Sequence, residues 1–166
     1  MATRTARRRA SGVPTKRPHA LASVPGAFVR EAERYPATVI RTASGTFDVS
    51  LVPGIAELDG VVSRFELTKL FHGDLDGTGT GVILSAGDPQ AGTAGYVAIE
   101  TVKGRLGDRE GGFAFQQFGT MRGGHQTLHY EVVPGSGYGE LTGISGTLHL
   151  TIDGEGTHHY ELEYDL

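Results

Sequence analysis

Short runs of alternating apolar and polar residues follow one another from residue 39 to the C-terminus. Each run is bounded by Gly, Asp or Pro, a pattern typical of the short strands of an all-β protein. No stretch of this region has the period of an amphipathic helix. The pattern predicts eight strands, at 39–51, 61–73, 77–86, 95–106, 111–121, 125–135, 139–152 and 157–166.

The connections between these strands are short and rich in Gly and Asp. Turns are predicted at 58–60, 75–77, 86–88, 107–112, 122–125 and 152–156. Parallel strands need crossovers of about a dozen residues or more, so neighbouring strands are expected to be antiparallel. Closure of the sheet removes its two open edges. We therefore predict an eight-stranded antiparallel up-and-down barrel, with a β-sandwich as the alternative.

The first 36 residues differ in character from the rest of the chain. Residues 1–17 hold six basic and no acidic residues, whereas residues 37–166 hold 7 basic and 17 acidic residues. Such a basic tail is expected to be mostly disordered, and only the segment 26–35 is compatible with a short helix. We divide the chain into a tail at 1–36 and a β-barrel domain at 37–166. Nucleic-acid binding is not expected, except through the tail, because the barrel is acidic.

Composition excludes several classes of protein. The 166 residues include 26 Gly but no Cys, which excludes disulfides, thiolate metal sites and cysteine nucleophiles. No apolar run is long enough for a membrane-spanning helix. The apolar run after the basic residues is interrupted by Ser23, Pro25 and Gly26, so no signal peptide is predicted. We expect a cytoplasmic protein without a membrane partner.

Motifs that suggest phosphate or metal binding lack the necessary context. GTGTG at 77–81 and GSGYG at 135–139 are expected to be structural turns or bulges, because a phosphate-binding loop requires a helix after it. His125 and His129 share a strand face but are separated by about 13 Å at about 3.3 Å per residue, too far for one ion. We expect neither a metal nor a cofactor.

Lys69 and Glu100 stand out because each interrupts an apolar strand face. Three apolar residues share the face of Lys69. Glu100 shares its face with Tyr96, but Val97 and Ile99 lie on the opposite face, so either face of this strand is compatible with the core. Two interpretations follow. The two charges form a salt bridge at the barrel rim, which contributes little to stability, or they form a polar cluster inside the barrel.

A resemblance to a known family rests on four segments: LTKLFHGDLDGTGTG (67–81), YVAIETVKGRLGDREGGFAFQQFG (96–119), VVPGSGYGELTGISG (132–146) and YELEYDL (160–166). Over residues 44–166 the chain resembles a family of small bacterial proteins known only as a domain of unknown function. The resemblance implies an allene-oxide-cyclase-like, calycin-like β-barrel. It implies no established reaction, since one fold hosts many functions.

Lys69 and Glu100 both lie in recurring patterns of that family. The position of Gln117 often carries His there, that of Tyr130 often carries Trp, and that of Tyr138 often carries Thr or Ser. A ligand that touches these positions is therefore expected to differ here. The candidate ligand-binding residues are Lys69, Tyr96, Glu100, Phe115, Gln117, Tyr130, Tyr160 and Tyr164, with Glu100 as the candidate catalytic group.

Three classes of function are compatible with these features. The first is a binding protein whose barrel accepts one small, mainly apolar molecule, because eight strands leave room for one small ligand. The alternative is an isomerase or cyclase that acts on a small apolar substrate within the barrel. The third is a barrel filled by its own side chains, with no ligand.

Overall fold

A computed structural model describes residues 39–55 and 60–166 of the chain. The predicted tail at 1–36, with its possible short helix, lies outside the described residues. The predicted turn at 58–60 lies partly outside them. The described residues form nine strands and no helix: β1 (Arg41–Pro53), β2 (Val62–Gly73), β3 (Leu75–Asp88), β4 (Thr93–Leu106), β5 (Arg109–Arg122), β6 (His125–Val132), β7 (Tyr138–Gly139), β8 (Ser145–Ile152) and β9 (His158–Asp165). None of the described residues forms a helix that is long and apolar enough to cross a membrane.

Eight of these strands close into an antiparallel barrel, as predicted. Each strand from β1 to β5 pairs with the next, β8 pairs with β9, and β9 pairs with β1. The ring closes between β6 and β8 through one residue pair, Glu131 and Thr147. The two-residue strand β7 pairs with Gly111 and Gly112, near the N-terminal end of β5, and the sequence does not predict it.

The ends of several strands differ from those that the local turn signals indicate. Residues 75–77 and 86–88, predicted as turns, belong to β3, and the turns lie at Asp74 and at 89–92. Of the predicted strand 139–152, only Gly139, in β7, and Ser145–Ile152, in β8, are extended. Local Gly and Asp content marks the approximate position of a turn but does not fix where hydrogen bonding to the neighbouring strand stops.

One end of the barrel is filled by apolar side chains. Leu141 and Ile144, in the irregular segment between β7 and β8, are each 1% exposed and pack into this end. They contact a core to which most strands contribute: Ala43, Leu75, Val102, Leu106, Phe113, Phe115, Val132, Leu148 and Leu162. Among the described residues, this segment closes one end of the barrel with apolar side chains.

The face of β4 that was ambiguous in the sequence is settled by the burial of its side chains. Ala98, Glu100 and Val102 are buried, whereas Val97 and Ile99 are each 54% exposed. Val97 is paired with Phe118 of β5, which is also exposed, so the outer surface here is apolar. Glu100 therefore points into the barrel.

Candidate functional site

Four polar side chains meet inside the barrel and form what we call the buried cluster: Lys69 of β2, Glu100 of β4, Gln117 of β5 and Tyr130 of β6. Lys69 is 5%, Glu100 0%, Gln117 8% and Tyr130 1% exposed. All four occupy inward positions because side chains alternate between the two faces of a strand. The interpretation of Lys69 and Glu100 as a rim salt bridge is therefore wrong.

Strand β3 lies between Lys69 and Glu100 but places no side chain in their way. Gly79 is paired with Lys69, and Gly81 is paired with Glu100. A Cβ atom on Gly79 would overlap Oε1 of Glu100. The GTGTG motif, predicted as a turn or bulge, is thus the interior of a strand. Its inward glycines let a lysine and a glutamate two strands apart touch.

Oxygen Oε2 of Glu100 is the centre of the hydrogen bonding. It accepts from Lys69 Nζ at 2.9 Å, from the Tyr130 hydroxyl at 2.8 Å and from Gln117 Nε2 at 3.5 Å. Lys69 Nζ also donates to the Tyr130 hydroxyl oxygen at 2.8 Å. The other oxygen, Oε1, has no hydrogen-bond partner among the described residues although it is buried. Buried acceptors without a partner are uncommon in proteins and often have a functional role.

Burial shifts the protonation of the two groups that donate to Glu100. Loss of hydration lowers the pKa of Lys69, and the nearby Glu100 carboxylate offsets this only in part. Burial, followed by the charge and hydrogen bond of Glu100, raises the pKa of Tyr130 well above its usual value. The tyrosine therefore remains a neutral donor, whereas the lysine is easier to deprotonate than an exposed one.

Aromatic rings surround the ammonium group. Lys69 Nζ lies 4.6 Å from the centre of the Phe47 ring and 4.8 Å from that of Tyr130. Phe115 packs edge-on against Tyr130, with ring centres 4.7 Å apart. Such rings attract a cation but exclude water, so they favour the charge less than bulk water does.

A cavity of about 330 Å³ occupies the open end of the barrel, next to the buried cluster. Lys69 and Gln117 belong both to the cluster and to the cavity wall. The remaining wall is mostly apolar: Phe47, Val49, Leu51, Phe65, Leu67, Ile83, Pro89 and Leu150, with Ser85, Tyr96 and His158 as further polar groups. The barrel is thus not filled from end to end.

The structure places the eight candidate residues in three locations. Lys69, Glu100, Gln117 and Tyr130 form the cluster, and the Tyr96 hydroxyl donates to Gln117 Oε1 at 3.3 Å. Phe115 supports Tyr130 from the core.

Tyr160 and Tyr164 lie away from the cavity. The Tyr160 hydroxyl accepts from the Leu75 amide at 2.9 Å, and Tyr164 packs against the filled end. Sequence reasoning missed Phe47 and His158, whose rings stack 5.0 Å apart in the cavity wall. Alternation puts both inside, but only the pairing of β1 with β9 brings them together.

Among the described residues, no group of three or more His, Cys, Asp or Glu is placed to hold a metal ion. His129 stacks on Phe118 on the outer surface, with ring centres 4.4 Å apart. His159 contacts Asp153 at 2.9 Å in the β8–β9 turn. The cluster and Tyr96 supply one amine, one carboxylate, one amide and two phenols, and the cavity wall adds the His158 imidazole and the Ser85 hydroxyl.

These features define a closed eight-stranded barrel with a cavity at one end and a buried ion pair in its wall. The model of a family described as "Protein of unknown function (DUF3224)" matches residues 43–164, and the chain belongs to this family. A crystal structure of a DUF3224 family protein of unknown function from Shewanella oneidensis MR-1 is similar, with a TM-score of 0.71 and 45% sequence identity. The similarity covers 76% of this chain and 96% of that chain. No curated protein matches.

Proposed function

We propose that the cavity binds a small, uncharged, mainly apolar molecule that carries a hydrogen-bond acceptor at its inner end. The observation that supports this most directly is the composition of the cavity wall. Apolar side chains form most of it, and two buried polar groups, Lys69 and Gln117, lie on the side of the cluster. Ligand sites in proteins commonly combine an apolar wall with a few fixed polar groups.

The charge of the ligand follows from the charge of the cluster. Lys69 and Glu100 neutralise each other, at an N–O distance of 2.9 Å. A second anion in this site would be a buried charge without a counter-ion, which is costly. The ammonium has three N–H donors and two hydrogen-bond acceptors among the described residues, so one donor is available to a ligand oxygen. A carbonyl, ether or hydroxyl oxygen fits this donor better than a carboxylate.

The size of the ligand follows from the cavity. At about 330 Å³ the cavity is at the small end of the range of roughly 300–1,000 Å³ found for ligand sites. This favours a molecule of at most three rings or a short chain. The resemblance to allene-oxide-cyclase-like barrels supports the same proposal, since such a barrel can enclose an apolar molecule. We further propose a cytoplasmic location. We also propose that the barrel has no nucleic-acid or membrane partner, because its excess of acidic residues repels nucleic acid and anionic membrane surfaces.

Two dyes that share one scaffold test the proposal. N-phenyl-1-naphthylamine is neutral, and 8-anilinonaphthalene-1-sulfonate is the same scaffold with a negative charge. We expect saturable fluorescence enhancement with the neutral dye and binding at least about tenfold weaker with the sulfonate, because the charge is not compensated in the site. Tighter binding of the sulfonate would contradict the assignment of an uncharged ligand.

A matched pair of variants locates the dye. Ser85→Phe fills the cavity from β3, whereas Thr78→Phe adds the same ring to an exposed position of the same strand. Binding of the neutral dye should be lost in Ser85→Phe and kept in Thr78→Phe. Equal binding by both variants would show that the dye binds elsewhere and would overturn the cavity as its site.

A further inference from the structure

We propose that Lys69 captures aldehydes and ketones covalently, as an imine formed inside the cavity. This inference rests on the proposed binding of an apolar, uncharged ligand and specifies its reactive group. The ligand class is then an apolar aldehyde or ketone whose carbonyl oxygen reaches the polar side of the cavity, beside Lys69 and Gln117.

The position of the amine supports this proposal. Lys69 lies in the wall of the cavity, and only 5% of it is exposed. The other lysine among the described residues, Lys103, is exposed on β4 and does not contribute to the cavity wall. Lysines that form imines are commonly desolvated in apolar pockets, since only the neutral amine is a nucleophile. Burial lowers the pKa of Lys69, which increases the share of the neutral amine.

The buried cluster also provides a place for the proton. Oε2 of Glu100 is engaged by three donors, whereas Oε1 has no partner among the described residues. A proton transferred from Lys69 can bind Glu100 at Oε1 without displacing Tyr130 or Gln117. The transfer converts an ion pair into an amine and a carboxylic acid, so the net charge of the buried site stays zero. This gives the unpartnered oxygen a function.

The covalent step balances with these groups alone. After the transfer, the lone pair of Lys69 Nζ attacks the carbonyl carbon, the carbonyl π bond breaks, and one proton moves from nitrogen to oxygen. The resulting carbinolamine hydroxyl takes the proton from Glu100 and leaves as water, while the nitrogen lone pair forms the C=N bond. The products are water, a protonated imine on Nζ and the Glu100 carboxylate. The cation and its counter-ion are thus restored, and no oxidant or reductant is needed.

Octanal and octan-1-ol form a matched pair of probes, because they differ only in the carbonyl group. The full chain is incubated with limiting octanal and sodium cyanoborohydride, and the reduced adduct is located by peptide mass spectrometry. We expect modification of Lys69 to exceed that of Lys103 by at least about tenfold at neutral pH. Lys103 serves as the internal control in the same molecule, so this measurement does not depend on any variant folding.

Displacement of N-phenyl-1-naphthylamine by each probe separates the two proposals. If octan-1-ol displaces the dye but octanal labels Lys69 no faster than Lys103, the imine is wrong and the cavity still binds apolar ligands. If neither probe displaces the dye and Lys69 is not labelled, both proposals fail. Preferential labelling of Lys69 with displacement by both probes supports both.

Two further variants examine the roles of the groups. Lys69→Arg keeps a cation near Glu100 but cannot form an imine, so it should lose the adduct at this position while Lys103→Arg keeps it. Glu100→Gln removes the acid that protonates the carbinolamine hydroxyl, so labelling of Lys69 should slow by about tenfold or more at its pH optimum. It also removes the charge that raises the pKa of Lys69, so the pH profile of labelling should move to lower pH. An unchanged rate and pH profile in a folded Glu100→Gln protein would remove Glu100 from the mechanism.

Discussion

The pairing of Lys69 with Glu100 predicts a large energetic coupling between the two residues. Both side chains are nearly or fully buried, and their charged atoms are 2.9 Å apart. Replacement of one partner leaves the other as a buried charge without a counter-ion, which typically costs about 3–5 kcal/mol. We therefore expect Lys69→Met and Glu100→Gln each to lower the free energy of unfolding by about this amount at neutral pH.

The double variant should be much less destabilised than the sum of the two single variants. In it no charge is buried, and the amide at position 100 can still be hydrogen-bonded by Tyr130 and Gln117, which now contact Glu100 Oε2. Imperfect bonding of that amide costs about 1–3 kcal/mol. The coupling in a double-mutant cycle should therefore be at least about 2 kcal/mol, in the direction of recovery.

Chemical denaturation of the four proteins measures this coupling, and an exposed pair provides the control. Arg105 and Asp76 are cross-strand neighbours, and Arg105 Nη2 lies 3.9 Å from Asp76 Oδ2. Their side chains are 58% and 64% exposed. The cycle of Arg105→Met with Asp76→Asn should give a coupling below about 1 kcal/mol. Small and additive effects at Lys69 and Glu100 would refute the reasoning and would also remove the basis for assigning a function to the pair.

Three further predictions follow from other parts of the barrel. Gly79→Ala should lower the free energy of unfolding by about 1–3 kcal/mol, because the added Cβ overlaps Glu100. Gly154→Ala is the control and should not destabilise the protein in this way, because no atom lies within 4 Å of the added Cβ. Equal thermal midpoints of the two variants would contradict this. Removal of residues 159–166 should give insoluble protein, because it opens the edges of β1 and β8; a soluble, cooperatively unfolding product would argue against closure. The pKa of Asp153 should be about 2 instead of 3.8 in an NMR titration, because His159 and two backbone amides bind its carboxylate. Because folding lowers this pKa, the ionised carboxylate stabilises the folded state at pH values above the ordinary pKa of 3.8. This stabilisation is lost as the pH falls through about 2, and a measured pKa near 3.8 would contradict the prediction.

The alternation of the strands could be predicted from the sequence because it is a local property. It places Tyr160 inside the barrel and Lys69 on an apolar strand face, and both residues are buried. It does not show which end of the barrel a residue occupies, since that depends on the register between strands far apart in the chain. The sequence therefore groups Tyr160 with Lys69 in one site, whereas the Tyr160 hydroxyl accepts a hydrogen bond from the Leu75 amide, away from the cavity.

The inward face of β4 could not be predicted, because both of its faces are apolar. Hydrophobic alternation identifies the core side only when the other side is polar. Here Val97 and Ile99 lie on the outside beside Phe118 and remain about half exposed. The position of Glu100 was consequently open until the neighbouring strands were known.

The glycines of β3 show a third limit of sequence reasoning. Gly is a turn former by its own backbone preference, so GTGTG predicts a turn. The reason for Gly79 lies elsewhere, in a lysine ten residues before it and a glutamate 21 residues after it that must meet across its strand. A requirement of this kind appears only in the closed barrel, where three strands are side by side.

The residues at positions 69 and 100 that are best for stability differ from those that are needed for the proposed chemistry. A pair of apolar side chains of similar volume would often be as stable as a buried ion pair or more so. Variants with such replacements at 69 and 100 should therefore fold, retain the apolar wall and bind a neutral dye, yet form no imine, because they contain neither the amine nor its proton acceptor. If the pair had only a structural role, the unpartnered Glu100 Oε1 and the missing side chain at Gly79 would both lower stability without any compensating gain. An amine and a carboxylate that exchange a proton at the edge of an apolar cavity account for both features together.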